Sequence, residues 1–432
     1  MSDQRLSAAI RPVLERYGKV LILVLVAVAF RVPFVLATLR QPGFNWHWGG
    51  EMLSIASAIA SGQGFSSPYW ISTGPTAIVA PAFPYFVAGL CYIGNGSMEF
   101  AVRAVLWLNV LFSALTCIPL TAIGNRYRLR GGNLFGWSWA AFPILGHTEV
   151  VYAWDTALFT LVLSTVIWLL LKLKDEGSSP SFFWWGVLVG ASLLLDPAHL
   201  LVIGLILGSL CVLGGINLRQ LAITTGAIAL VITPWIIRNT IVFEHPTFIR
   251  SNLLYEVSCG LITDPSHQKK ANALNPGRNP DELVRYVELG ENRYMEEKIR
   301  LARQLITDHP SDVVGRVVER CIVFWVGDQR VAWNPWPVGN FLKHLLYTVP
   351  ALVGFLGLLV FWRDGTDRVS AIIFAIVLIV YPLPYYLALT TPRYRAPIEP
   401  FLVLLGAYGL FGKGETTNDN THQPLPYTRS SN

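Results

Sequence analysis

The chain has 432 residues, 53% of them hydrophobic and only 14% charged. Soluble domains carry about 25% charged residues and fewer than half apolar ones, so a soluble enzyme, a coiled coil and a disordered scaffold are excluded. The formal net charge of +6 calls for no nucleic-acid partner, because basic cytoplasmic loops give a membrane protein the same balance.

Apolar runs long enough to cross a bilayer recur from residue 20 to residue 412, predicting an all-α polytopic membrane protein. In chain order the spans read 20–39, 103–124, 134–153, 156–171, 182–196, 199–214, 220–237, 341–362, 369–390 and 400–412. The first run is too long for a secretory signal, and no small-residue cleavage site follows it. These ten spans divide the chain into an N-terminal transmembrane module (1–237) with a juxtamembrane segment at 40–102, and C-terminal transmembrane helices at 341–412. Between them, 238–340 holds 13 Lys or Arg and helix-like polar sequence (DELVRYVELGENRYMEEKIRLARQLI), which predicts an extracytoplasmic loop domain of about 100 residues. The polar tail, 413–432, reads as disordered and cytoplasmic.

Segment 76–95 (TAIVAPAFPYFVAGLCYIGN) is apolar enough to span, but Pro81 and Pro84 interrupt it early. Charge decides the matter. If it stays on one side, the short loops on the N-terminal side hold 14 Lys or Arg and the opposite loops hold 4, namely Arg40, Arg103, Arg393 and Arg395. If it spans, the counts become 7 and 11. Cytoplasmic loops are the basic ones, so a juxtamembrane or re-entrant segment is expected, with both termini in the cytoplasm. The 40–102 segment, the 238–340 region and the RYRAPIEP turn then share the outer face.

Several polar residues stand out against this background. Glu51, Ile55, Ala58 and Ile59 sit at helical spacing, so Glu51 opens a short outward helix. Its carboxylate either complements the helix dipole or serves a substrate at the interface. His47 sits beside it between Trp46 and Trp48, either catalytic or interfacial. Asp155 stands between two hydrophobic stretches, where a lone carboxylate costs energy unless paired or functional; the other reading is a helix cap. Asp196, in LLLDPAH, has the same two readings, weighted towards a turn. Arg31 lies within the first span and either snorkels to the headgroups or pairs with a buried acid. The turn TTPRYRAPIEPF holds Arg393, Tyr394, Arg395 and Glu399 at the outer surface, and two arginines there suit a phosphate clamp because guanidinium donates bidentately to phosphate oxygens. Arg238 is a weaker candidate of this kind. Five cysteines without CxxC spacing indicate neither zinc nor a disulfide framework. No GxxxxGK[ST], HExxH or GxSxG elbow is present.

The order and sidedness of these features resemble the GT-C class of integral-membrane glycosyltransferases. The likeness is greatest to the bacterial branch of protein O-mannosyltransferases and aminoarabinose transferases. It rests on GGEMLSIASAIASGQGFSSP after the first span, APAFPYF, EFAVRAV, AWDTALF in the second outward loop, and RYRAPIEPFL before the last span, and covers residues 20–412. The family usually opens its juxtamembrane motif with Asp-Glu, whereas Gly50 precedes Glu51 here; Val79-Ala80 stand where a basic residue often precedes the Pro-Pro segment. The resemblance implies an inner-membrane enzyme that takes a hexosyl or pentosyl group from a polyprenyl-phosphate donor. It hands that group, with inversion, to a protein, lipid or glycan acceptor on the periplasmic face. Glu51 would then be the general base, Asp155 a second carboxylate, and Arg393 with Arg395 the phosphate clamp. His47, Arg31, Tyr394, Glu399 and Arg238 would be substrate-binding candidates. No cofactor is implied with certainty; a divalent metal is compatible with Glu51 and Asp155 on one face. The alternatives are a lipid-linked-sugar or small-solute transporter, and an envelope assembly subunit.

Overall fold

The computed structural model describes residues 2–41, 50–127, 134–141, 149–262, 274–327, 337–365 and 367–412. Among these residues there is no strand, only an isolated bridge between Ser66 and Pro75. The chain is an all-α polytopic membrane protein. Among the described residues, six helical stretches are long and apolar enough to cross a membrane: Gly18–Leu39, Met98–Arg126, Thr156–Asp175, Leu218–Phe243, His344–Arg363 and Arg368–Leu387. His47 and the 413–432 tail lie outside the described residues, as does the middle of the expected 134–153 span.

The first crossing ends α1 (Ser2–Leu39). The second is two helices, α4 (Met98–Leu115) and α5 (Cys117–Arg126). The interruption has a covalent cause: Pro119 has no N–H to give the Leu115 carbonyl, so one rung of the ladder is missing there. Next come α6 (Leu134–Ala141), α7 (Thr156–Glu176), α8 (Ser179–Leu195), α9 (Leu200–Val212) and α10 (Leu218–Phe243). The C-terminal part holds α15 (Pro337–Arg363), α16 (Arg368–Val380), the short α17 (Leu383–Leu387) and α18 (Glu399–Phe411). With lipid on the outside there is little hydrophobic gain in joining two apolar helices, so close backbone approach through small residues does the work. A Cβ on Gly186 of α8 would lie 2.8 Å from the Thr224 carbonyl of α10, and one on Gly357 of α15 would overlap the Leu405 carbonyl of α18.

Inside the bundle Arg31 is fully buried. Its Nε donates to Ser113 Oγ at 2.8 Å, and Nη1 and Nη2 donate to the carbonyls of Ala27 and Trp139 at 3.0 and 3.2 Å. Ser113 Oγ in turn donates to Glu149 Oε2 at 2.7 Å, and Thr160 Oγ1 to Oε1 at 2.8 Å. Of the two expectations for Arg31, the geometry is that of the paired one, a charge neutralised through a serine relay that ties α1, α4, α6 and α7. At one end of the bundle Arg126 pairs with Asp175, and Lys174 reaches Asp175 at 2.9 Å and Asp367 at 2.8 Å. This closes the ends of α5 and α7 onto the turn between α15 and α16.

At the other end, α2 (Gly50–Ala60) and α3 (Ala82–Ile93) flank an extended stretch. Twelve residues give α3 a length of about 18 Å, well short of a hydrocarbon core of about 30 Å. The stretch before it is pinned by the 238–291 region. Arg238 donates to the carbonyls of Thr76 and Phe65 at 2.8 and 2.9 Å. Glu291 accepts from Thr76 Oγ1, the Ala77 N–H, Ser251 Oγ and Tyr286 OH, all within 2.9 Å. The 238–340 region is helical where described: α11 (Leu253–Ile262), α12 (Pro280–Leu289), α13 (Glu291–Asp308) and α14 (Pro310–Val326).

Candidate active site

Four carboxylates and two arginines from distant parts of the chain face one another at the end of the bundle that carries α2. None is fully buried and none is fully exposed. Glu51 is the second residue of α2. Gly50 before it takes φ +58°, a left-handed turn that glycine adopts without a steric penalty. Asn275 Nδ2 donates to Glu51 Oε1 at 3.5 Å.

Asp155 occupies the N-cap position of α7, yet its side chain makes no capping hydrogen bond. Burial raises its pKa from the ordinary 3.8 to about 6; neighbouring Asp196 pushes the same way, and Arg393 and Arg250 pull against both. Asp196 does cap its turn, accepting from the Ala198 N–H at 2.9 Å. Glu256, on α11, is also raised by burial and by Glu51, with Arg250 and Arg393 opposing. Arg250 is anchored through Nε, which donates to the Ile78 carbonyl at 3.2 Å and to Asn252 Oδ1 at 3.0 Å.

Arg393 is the shared neighbour. Both Asp155 and Glu51 stabilise its charge. Its guanidinium lies 4.1 Å from the centre of the Trp154 ring and 4.8 Å from that of Tyr394, and Nη2 donates to Tyr394 OH at 3.1 Å. Tyr394 stacks on Tyr385 at 4.5 Å. A flat cation on an aromatic wall, with carboxylates on its free side, is a built receptor for an anionic or hydroxylated ligand.

Arg395 does not share this position. Residues 392–398 form a 3₁₀ turn, in which successive side chains step by about 120°, so positions two apart project away from each other. Arg395 is buried, its Nε 2.5 Å from Glu399 Oε1 and its Nη1 donating to the Trp325 carbonyl at 2.8 Å. Its guanidinium also lies over the rings of Trp325 and Tyr347. Glu399 therefore serves Arg395, Arg238 is spent on backbone carbonyls, and Arg31 sits in the bundle interior. The cluster thus joins Glu51, Asp155, Arg393 and Tyr394 with three groups that local sequence did not bring forward as site residues. Asp196 reads as a turn, and Arg250 and Glu256 lie in a loop region rich in basic residues without motif spacing. Among the described residues no group of three or more His, Cys, Asp or Glu is arranged to hold a metal ion. Arg393 is a cation whose charge both Asp155 and Glu51 stabilise.

No protein-family profile matches the chain, and no curated protein is similar to it by sequence. Its fold is similar to that of the archaeal oligosaccharyltransferase AglB from Archaeoglobus fulgidus in complex with an inhibitory peptide and a dolichol-phosphate. That match has a TM-score of 0.55 and 13% identity, over 91% of this chain and 50% of the other. A second structure of the Archaeoglobus fulgidus oligosaccharyltransferase, tethered with an acceptor peptide containing the NVT sequon, gives 0.53 and 13%, over 91% and 49%. ArnT from Cupriavidus metallidurans in the apo state aligns over 94% of this chain and 78% of the other, at 15% identity with a TM-score of 0.37. The chain spans about half the length of the oligosaccharyltransferase. At 13% identity the likeness is one of fold, shared with the oligosaccharyltransferase structures.

Proposed function

We propose that this protein is a membrane glycosyltransferase that moves a sugar from a polyprenyl-phosphate donor to an acceptor hydroxyl on the outer face of the membrane, with inversion. The observation that carries the reading is the placement of Arg393, whose guanidinium is stabilised by both Glu51 and Asp155 on an aromatic wall. Displacement at an anomeric carbon needs a base for the incoming hydroxyl and a cation for the departing phosphate. One cluster supplies both.

In the reaction, Glu51 accepts the proton of the acceptor hydroxyl as its oxygen attacks the anomeric carbon. The bond between that carbon and the phosphate oxygen breaks, and the electron pair leaves with the lipid phosphate. Arg393 receives the developing negative charge, and Arg250, anchored beside Asp155 and Glu256, is the second cation of the clamp in place of Arg395. Asp155 orients Arg393. Stacking on Trp154 and Tyr394 keeps the guanidinium flat against the site wall.

The membrane topology belongs to the same proposal: ten crossings, both termini cytoplasmic and the site periplasmic. The four crossings beyond the six long helices would be the one begun by α6, then α8, α9 and α18. Supporting the sidedness, the Arg126–Asp175 and Lys174–Asp367 pairs gather at one end of the bundle, and the expected basic loops are at that end. The deciding experiment is release of lipid phosphate from a panel of radiolabelled polyprenyl-phosphate sugars in detergent, with wild type and Glu51→Gln side by side. Release by wild type that the variant loses supports reaction class and base together. Release that survives keeps the class and moves the base to Asp155 or His47. No release from any donor overturns the reading and favours a transporter or an assembly subunit.

A further inference from the structure

Helices α13 and α14 follow one another through His309 and are nearly equal in length, but their outer faces differ in kind. The exposed face of α13 is mostly polar, with Arg293, Glu296, Arg300 and Arg303 beside Leu301 and Ile306. The exposed face of α14 carries Val314, Val318 and Ile322, which are 62%, 53% and 48% accessible. Residues four apart lie on one side of a helix, so these three form a continuous apolar stripe. The opposite side of α14 buries Arg320, whose Nη1 donates to the Leu387 carbonyl at 2.9 Å, together with Phe324. A helix in water turns its polar face outward; α14 does the reverse and α13 does not.

The far end of α14 rests on a membrane span. The Trp325 ring lies 5.0 Å from that of Phe355, a residue near the middle of the crossing His344–Arg363. His344 Nδ1 is 3.0 Å from the Val326 carbonyl, and a Cβ on Gly327 would touch the Tyr347 ring at 3.1 Å. On that same span Leu352, Leu356 and Leu359 are 59%, 59% and 55% accessible, which matches the exposure of the stripe on α14.

We propose that α14 is seated in the hydrocarbon of the leaflet on the active-site side, with Val314, Val318 and Ile322 against acyl chains. The stripe then continues the lipid-facing surface of α15. The proposal rests on the membrane-spanning architecture and is independent of the glycosyltransferase reading. An interfacial helix of this kind gains from burial of its apolar face at the acyl boundary. The seat has a consequence for the site: the Trp325 carbonyl at the end of α14 holds Arg395, so a lipid-seated helix braces the turn that carries Arg393.

The test is electron paramagnetic resonance of the full chain in phosphatidylcholine bilayers. A nitroxide is attached through a keto amino acid at Val314, Val318 or Ile322, with Arg300 of α13 as the control. Power saturation by oxygen and by a water-soluble nickel chelate is expected to give a positive depth parameter at the three α14 positions and a negative one at Arg300. Access of the nickel chelate at Val318 equal to that at Arg300 overturns the proposal. So does exclusion of both probes, which would mean that protein covers the stripe. As a second readout that does not depend on the label's mobility, benzoylphenylalanine at Ile322 is expected to photo-crosslink to radiolabelled phospholipid; crosslinking to protein alone also overturns it.

Discussion

Arg31 and Arg393 are both arginines set among helices in a chain poor in charge, and each has one or more acidic neighbours from elsewhere in the chain: Glu149 for Arg31, Glu51 and Asp155 for Arg393. Arg31 donates to a serine and to three backbone carbonyls, and its partner acid Glu149 receives one hydroxyl on each oxygen. Among the described residues, Arg393 donates to the Tyr394 phenol, Glu51 accepts from Asn275 at 3.5 Å, and Asp155 makes no side-chain hydrogen bond to the helix it begins. A polar group whose demand is met inside the fold stabilises one packing arrangement. A partly enclosed charge cluster whose demand is not met internally is poised for a ligand. The two networks therefore differ in kind: one is satisfied within the fold, and the other is the cluster proposed above to take a substrate.

That comparison can be broken by mutation. The largest effect is expected for Glu51→Gln, which removes the proposed general base and should lower the transfer rate by about 10²- to 10⁴-fold while the melting temperature in detergent stays at the wild-type value. Arg393→Ala follows, with a loss of about 10²- to 10³-fold in kcat/KM, again without a change in melting. Arg31→Met should invert the pattern: it strands Glu149 in the bundle and costs about 3–5 kcal/mol of stability. The surviving folded fraction, counted by gel filtration, should keep near-normal turnover per molecule. Loss of turnover with unchanged melting in Arg31→Met would put it in the site and dissolve the distinction.

Smaller effects sharpen the contrast through pH. Asp155 is held in the fold at about 6 rather than 3.8, so the folded state binds this proton more tightly than the unfolded chain. Ionised Asp155 thus costs stability above pH 6, and the cost disappears as pH falls from 6 towards 4. Asp155→Asn should melt higher than wild type at pH 7–8, with the gap closing towards pH 4, even as it loses activity. Wild-type activity should decline as pH drops through about 6, where Arg393 loses one of its counter-charges. The smallest effect is expected from a chelator: with Arg393 as the cation that both acids stabilise, turnover in EDTA should match the untreated rate. A chelator-sensitive rate restored by one divalent cation would reassign Asp155 and Glu51 as ligands.

Much of this architecture is legible locally. A crossing helix is a continuous apolar run, and the six long apolar helices lie where the sequence has such runs. Glu51, Asp155 and Arg393 are visible because isolated charges at helix ends in such a chain are few. Arg395 is where sequence reading misleads. It flanks Tyr394 symmetrically with Arg393, and only the 3₁₀ geometry of the turn sends one arginine towards Asp155 and the other towards Glu399. Arg250 and Glu256 carry no local mark, since their region is rich in charge and the site groups they meet, Glu51, Asp155 and Arg393, lie far away in sequence.

The sequence by itself determined the membrane class and the helical content, because in hydrocarbon every backbone donor and acceptor must be satisfied within its own helix and the code for that is a local run of apolar residues. Only the tertiary structure decided which charges meet. Glu51, Asp155, Arg250 and Arg393 come from separate elements, and their encounter depends on how those elements pack through side-chain shape, which no run of neighbouring residues encodes.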